Sequence, residues 1–473
     1  MLGGLPVRQD DPVSSDAPSS TPVALPSRDD PFVRAISERI GGPAGAHAVP
    51  ASRWWGPVRV ALAVACAVLA LGVIADLPCR EDQWAERDRG MWTNLCYSDV
   101  PFLYRERGFA EGQLPYRATM LEYPVVTGLV MQASAYLARA TTDDDQPDQV
   151  LAEGVRFYDV TAIFVGIAAL VVVVATARTV RRRPWDGLLV AASPVLLLTA
   201  TINWDLLAAA ALALAVLAWT RGRGVLAGIC IGLGVATKLY PVLLLGPLLL
   251  VVLRSSNRRR DVGRYFAALA AATVTWVAVN LPVYLWAPDG WLEFFTFNVE
   301  RGPEFGSIWY AITLVDQDRL PGDIDPWVIT GAAVLLVAIV VLALVAPEPP
   351  RLTQLAFLAV AAFLLVNKVW SPQYALWLLP LAVLARPRWR DLLVWQFAEI
   401  VYFVAVWWHL ATLTDPADPM ITSEGYVAAT GVRIAGLLWL AAVVVRDILR
   451  PARDPVRPYV DPLVPARLDD TRS

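Results

Sequence analysis

Thirteen apolar runs constrain this chain more than any other feature of its sequence. They fall at 57–76, 122–138, 157–179, 187–202, 204–220, 225–238, 240–253, 262–286, 327–346, 352–367, 372–385, 391–411 and 426–446. A bilayer core about 30 Å thick needs roughly 20 apolar residues per helix, with ~17 as a lower limit. Most of these runs are therefore candidate membrane spans. Charged residues make up 18% of the 473, against about 25% in a soluble globular domain, which excludes a water-soluble enzyme. The net charge of −3 gives no sign of a nucleic-acid partner.

Arginine sets the direction of the spans, because basic residues in short loops stay on the cytoplasmic side. Arg53 and Arg59 precede the first run, and further groups fall at Arg181–Arg183, Arg221 with Arg223, Arg254 with Arg258–Arg260, Arg386 with Arg388 and Arg390, and from Arg446 onward. Two full crossings between the first run and Arg181 would put that group outside, so one run must fail to cross. The run at 122–138 is the better choice. It begins Glu122-Tyr123-Pro124, contains Gln132 and Ser134, and leads into Asp143–Asp145. We expect it to be a helix on the outer membrane surface.

The expected architecture is all-α and polytopic, with about twelve transmembrane helices and both termini cytoplasmic. Residues 1–53, rich in Pro, Ser and Asp, read as a disordered cytoplasmic tail; the amphipathic stretch Pro31–Ile40 fits either a membrane-surface helix or unstructured chain. A first module covers 54–286 with an outer loop at 77–156. A second outer loop covers 287–326, a C-terminal transmembrane module 327–446, and a second cytoplasmic tail 447–473. Several runs between 187 and 253 are shorter than the bilayer is thick. Such segments suit helices shielded beside a water-accessible cavity, expected to open outward near Asn203, Lys238 and Tyr240.

Ionisable groups at membrane depth are candidate functional groups. The chain has two lysines, Lys238 in Thr237-Lys238-Leu239-Tyr240-Pro241 and Lys368 in Asn367-Lys368-Val369-Trp370-Ser371-Pro372-Gln373-Tyr374. Both fall at expected outer boundaries, against the charge bias of the arginines. They fit a shared anionic ligand such as a phosphate, or simple snorkelling from helix ends. Carboxylates expected on the same face are Asp99, Glu106, Glu111, Glu122, Asp205, Glu293, Glu300 and Glu304, any of which beside a cavity could act as a general base. His47 and His409 are the only histidines, too few for a His-rich metal site, and no phosphate-cradling loop is present. Cys79 and Cys96 share the first outer segment, an oxidising location, and are a candidate disulfide.

At these residues the sequence resembles the GT-C superfamily of integral-membrane glycosyltransferases. It is most similar to the polyprenyl-phosphate-mannose-dependent α-mannosyltransferases of glycosyltransferase family 87, a family typical of actinobacteria. The resemblance spans about residues 57–446. It is carried by Asp99-Val100-Pro101-Phe102-Leu103-Tyr104, Gly112-Gln113-Leu114-Pro115-Tyr116 and Glu122-Tyr123-Pro124, with Val125 where the family has a second proline. The run Gly232-Leu233-Gly234-Val235-Ala236-Thr237-Lys238-Leu239-Tyr240-Pro241 is similar to a glycine-rich helix ending in lysine and proline.

The resemblance implies a GT-C type fold with membrane-surface helices in the first outer loop, and it makes Asp99 the catalytic base. It implies transfer of a sugar, mannose or alternatively arabinofuranose, from a polyprenyl-phosphate donor to a lipid-linked or cell-envelope glycan on the extracytoplasmic face of the plasma membrane. A lipid or glycan transporter is the alternative from another class. Lys238, Lys368 and Arg301 are expected on the donor phosphate. Tyr104, Glu122, Tyr123, Asn203, Asp205, Tyr240, Gln373, Tyr374 and His409 are expected to line the substrate. No cofactor is required, although a divalent metal ion stays open because Asp205 matches a second acidic position of some relatives. Trp291, Phe294 and Phe295 could meet the polyprenyl chain or belong to an interfacial aromatic belt.

Overall fold

The computed structural model describes residues 23–41, 55–85 and 89–459. All its regular elements are helical, and no strand occurs among the described residues. Six helices are long and apolar enough to cross a membrane: Pro57–Ala75, Gln149–Thr179, Arg258–Trp286, Asp325–Val345, Trp389–Thr414 and Ser423–Leu449. Shorter apolar helices run over Asp205–Thr220, Gly224–Val235, Tyr240–Leu253, Leu352–Val366 and Pro372–Ala385. The chain is an all-α polytopic membrane protein.

Length and burial are related. Pro57–Ala75 and Asp325–Val345 bury few of their side chains, as helices facing lipid do. The short helices Asp205–Thr220, Leu352–Val366 and Ala375–Ala385 are almost wholly enclosed. A helix too short to span can persist at membrane depth when protein surrounds the backbone groups at its ends.

Three expectations change. The run at 187–202 is not one helix but two, Asp186–Ala191 and Pro194–Thr199. Pro194 has no N–H to continue the first helix, and the Ser193 hydroxyl accepts from the Leu196 N–H to cap the second. The span at 157–179 belongs to a 31-residue helix, Gln149–Thr179, started by Asp148 as its cap. At 1.5 Å per residue it is about 46 Å long, longer than a hydrocarbon core of about 30 Å. Within the expected disordered tail, Pro26–Asp29 and Pro31–Gly41 are helical, and Asp30 between them caps the second while also accepting from the Trp389 N–H. The rest of that tail, 1–22 and 42–53, and residues 460–473 of the second tail lie outside the described residues.

The glycines of Gly224–Val235 recur at helical spacing and fix its packing on Arg258–Trp286. A Cβ on Gly228 would lie 2.1 Å from the Ala268 carbonyl oxygen, and one on Gly232 would lie 2.5 Å from that of Ala272. Only hydrogen allows this approach of two backbones. The seam sets where the helix ends, and so where Thr237 and Lys238 emerge.

The two ends of the bundle differ in chemistry. At one, arginines pair with buried aspartates: Arg183 with Asp186, Arg351 with Asp454, and Arg386 with Asp391 and Asp447. The other end carries Asp99–Glu106 and the loops bearing Asn203, Lys238 and Lys368.

Candidate active site

Four separate stretches of chain are stitched together around Asp99. Ser98 caps the helix Asp99–Glu106 by accepting from the Val100 N–H, and its hydroxyl donates to the Thr201 carbonyl at 2.7 Å. The Asp99 N–H donates to the Ile202 carbonyl at 2.9 Å. From the other side, the Val126 N–H reaches the Ala236 carbonyl and the Thr127 hydroxyl reaches that of Thr237, both at 2.8 Å. The helix Val125–Thr141 is thereby locked to the loop that carries Lys238.

The side chains follow from this scaffold. Asp99 Oδ1 accepts from the Tyr97 hydroxyl at 2.7 Å, and Oδ2 accepts from Asn203 Nδ2 at 2.8 Å. Asn203 Nδ2 also donates to the Tyr123 hydroxyl at 2.8 Å. An ionised carboxylate has about four lone-pair directions, so two remain on Asp99 for an incoming proton. Burial pushes the Asp99 carboxyl above its ordinary range, as does the negative charge of Asp205, while the two hydrogen bonds and the Lys238 charge pull it back.

Lys238 and Asp205 form the second half of the site. The ammonium lies 2.9 Å from Asp205 Oδ1 and faces the rings of Tyr374, Trp377 and Tyr123 at 5.4, 5.8 and 5.9 Å. Asp205 is fully buried at the first turn of its helix, and Oδ1 also accepts the Trp377 indole N–H at 2.6 Å. Tyr374 and Tyr240 stack on Trp377, with centroids 3.9 and 4.2 Å away. Arg301 pairs with Glu304 and lies within electrostatic range of Tyr374 and Tyr123.

Other expected residues are engaged elsewhere. Lys368 bonds to Asp325 at 2.9 Å and to the Val299 carbonyl at 2.8 Å, so its charge is neutralised locally rather than joined to Lys238. Glu122 is held by Arg107, and Tyr104 turns inward to Glu153. Gln373 is buried with its Oε1 unpartnered among the described residues. His409 contacts Tyr310 at 3.0 Å and stacks on Tyr426 in the C-terminal module. Asp205 has no companion metal ligands: its Oδ1 is bonded to the Lys238 ammonium, and no group of three His, Cys, Asp or Glu gathers among the described residues.

Cys79 and Cys96 are joined as a disulfide three residues before Asp99, and the Trp84 indole donates to the Cys96 carbonyl at 3.1 Å. Replacing both cysteines by serine should destabilise the protein by about 3 kcal/mol in the chain-entropy picture, read as a lower unfolding midpoint. Both thiols found free by mass spectrometry of the unreduced protein would contradict that role.

Several contributors were not foreseen. Trp377 sits in an unbroken apolar run and gives no signal of its own. Glu399 and Arg433 did give one, as charges inside the runs 391–411 and 426–446. Arg433 Nε bonds Glu399 at 2.7 Å, and its other nitrogens donate to the Trp370 and Ser371 carbonyls just before Gln373 and Tyr374.

Residues 149–367 match the sequence model of glycosyltransferase family 87. The match supports a glycosyltransferase, here in a chain whose helices make it a multi-pass membrane protein. The matched stretch contains Asn203, Asp205, Lys238 and Arg301, whereas Asp99 precedes it and Tyr374 and Trp377 follow it. No curated protein matches the chain.

Proposed function

We propose that the chain transfers a sugar, mannose by resemblance, from a polyprenyl-phosphate donor to a hydroxyl of a lipid-linked or cell-envelope glycan, on the extracytoplasmic face and with inversion. The carrying observation is a carboxylate fixed by Tyr97 and Asn203 in the same cluster as a part-buried ammonium, with Tyr123 common to both. An apolar groove lined by Tyr123, Val235, Leu239, Trp276, Trp291 and Phe295 adjoins this cluster and suits a lipid tail. The extracytoplasmic assignment rests on the arginine distribution.

The chemistry then needs one base. The acceptor oxygen forms a bond to the anomeric carbon as the bond from that carbon to the phosphate oxygen breaks. Asp99 takes the hydroxyl proton, and the lipid departs as polyprenyl phosphate with one more negative charge than the phosphodiester carried. Lys238 meets that developing charge, where a pre-placed cation in a dry site is most effective.

The test is to incubate the purified protein with radiolabelled polyprenyl-phosphate-mannose and membrane lipid acceptors. Transfer of label to lipid supports the reading. Transfer only from an arabinofuranosyl donor would correct the sugar, and no transfer from any polyprenyl-phosphate sugar by folded protein would overturn it.

A further inference from the structure

We propose that Asp205 is a positioning residue, which touches neither substrate nor metal and acts by holding the Lys238 ammonium in its aromatic cage, away from Asp99. The proposal rests on the donor-phosphate reading of Lys238 given above.

Lys238 interacts with two carboxylates. It is bonded to Asp205 at 2.9 Å and lies within electrostatic range of Asp99. An ammonium that moved to Asp99 would neutralise the base and leave the phosphate position at the same time. Three features favour Asp205. It is fully buried, so its attraction for a cation is screened little by water. It is itself held at Oδ1 by the Trp377 indole, which is clamped between Tyr240 and Tyr374. Each oxygen of Asp99 already accepts from one neutral donor, Tyr97 or Asn203, whereas Asp205 accepts only the Trp377 indole besides the ammonium among the described residues. The ammonium has three N–H donors, and one bond to Asp205 leaves two for a phosphate. Oδ2 of Asp205 is buried without a partner among the described residues, so the side chain is held on one oxygen only.

Lys238 and Lys368 are the only two lysines, which allows a readout independent of turnover. The full-length protein in detergent is acetylated with limiting acetic anhydride, and both lysines are quantified by mass spectrometry with and without polyprenyl phosphate as probe. In the wild type the probe should protect Lys238 and leave Lys368 unaffected. In Asp205→Asn, acetylation of Lys238 without probe should rise while that of Lys368 stays constant. The probe concentration giving half-protection should increase about tenfold, the scale of one misdirected charge-assisted hydrogen bond. Trp377→Phe keeps the ring stack but removes the indole donor, and should move Lys238 in the same direction by less.

A second arm follows turnover against pH. The groups facing Asp99 are Tyr97, Tyr123, Asn203, Lys238 and Asp205. With Asp205 replaced, Lys238 moves toward Asp99, favours its ionised form, and shifts the acid limb of activity to lower pH as the maximal rate falls. Unchanged Lys238 acetylation and protection in Asp205→Asn would overturn the proposal, as would restoration of that variant by millimolar Mg2+, which would make Asp205 a metal ligand. Absence of transfer by the wild type with the labelling pattern intact would instead fault the sugar-transfer reaction alone and leave the phosphate role of Lys238 standing.

Discussion

Asp99→Asn is expected to lower sugar transfer by about 10²–10⁴-fold, the usual contribution of a positioned general base. The substitution keeps the shape of the side chain and one oxygen to accept from Tyr97, and the Asp99 backbone bond to Ile202 does not involve the side chain. The variant should therefore fold and still bind donor while losing turnover. The pH dependence carries a sign that can be checked. Burial holds the Asp99 carboxyl above its ordinary range, against the pull of Tyr97, Asn203 and Lys238. Activity needs the ionised form, so it falls as pH drops through that raised value, above the ~4 of an unperturbed aspartate. The same shift means that the folded state binds this proton more tightly than the unfolded chain does, so acid favours the fold at this residue. Loss of activity on mild acidification should thus be reversible and precede any unfolding. Turnover in Asp99→Asn within a factor of two or three of wild type would remove Asp99 from the reaction.

Arg433→Met should be the most destabilising single substitution away from the reacting groups, at about 3–5 kcal/mol. Arg433 is fully enclosed, stacks over Trp370 and Tyr402 at 4.2 Å each, and pairs with a Glu399 that is itself buried. Removing the arginine leaves the carboxylate uncompensated and takes the donors from two carbonyls. Those carbonyls belong to the loop that is also tied to 304–307: the Glu304 N–H donates to the Lys368 carbonyl, and the Trp370 N–H donates to the Phe305 carbonyl. Gly306 has φ +80, and a Cβ there would lie 2.1 Å from the Trp370 carbonyl oxygen, so the two loops meet backbone to backbone. Thermal unfolding in detergent should show a large loss for Arg433→Met and a smaller one for Arg433→Met combined with Glu399→Gln. Equal losses in both would mean that the unpaired charge is not the cause.

The membrane character and most helices were legible because bilayer thickness and apolar run length are a direct physical correspondence. The break at Ser193-Pro194 was legible in principle, since Ser followed by Pro marks a helix start, but the surrounding apolar residues masked it. Lys238 and Asp205 could be singled out as charges at span ends. Their pairing could not, because nothing local says that two helix termini 33 residues apart in sequence face each other. Lys368 had the same sequence signal as Lys238 and a different place, since its partner Asp325 comes from the start of another helix. Local context finds charges of interest, while packing decides which of them share a cluster.

The rings around Lys238 bear on what counts as a working unit in this chain. Tyr123 comes from before the matched stretch 149–367, and Tyr374 and Trp377 come from after it. A fragment cut at those limits would retain Asn203, Asp205 and Lys238 but none of the three walls that keep water from the ammonium. Asp205 would then face solvent on the side where the indole now stands. The glycosyltransferase match is in this sense a floor without walls, and the enclosure is completed only when both flanks of the chain fold against it.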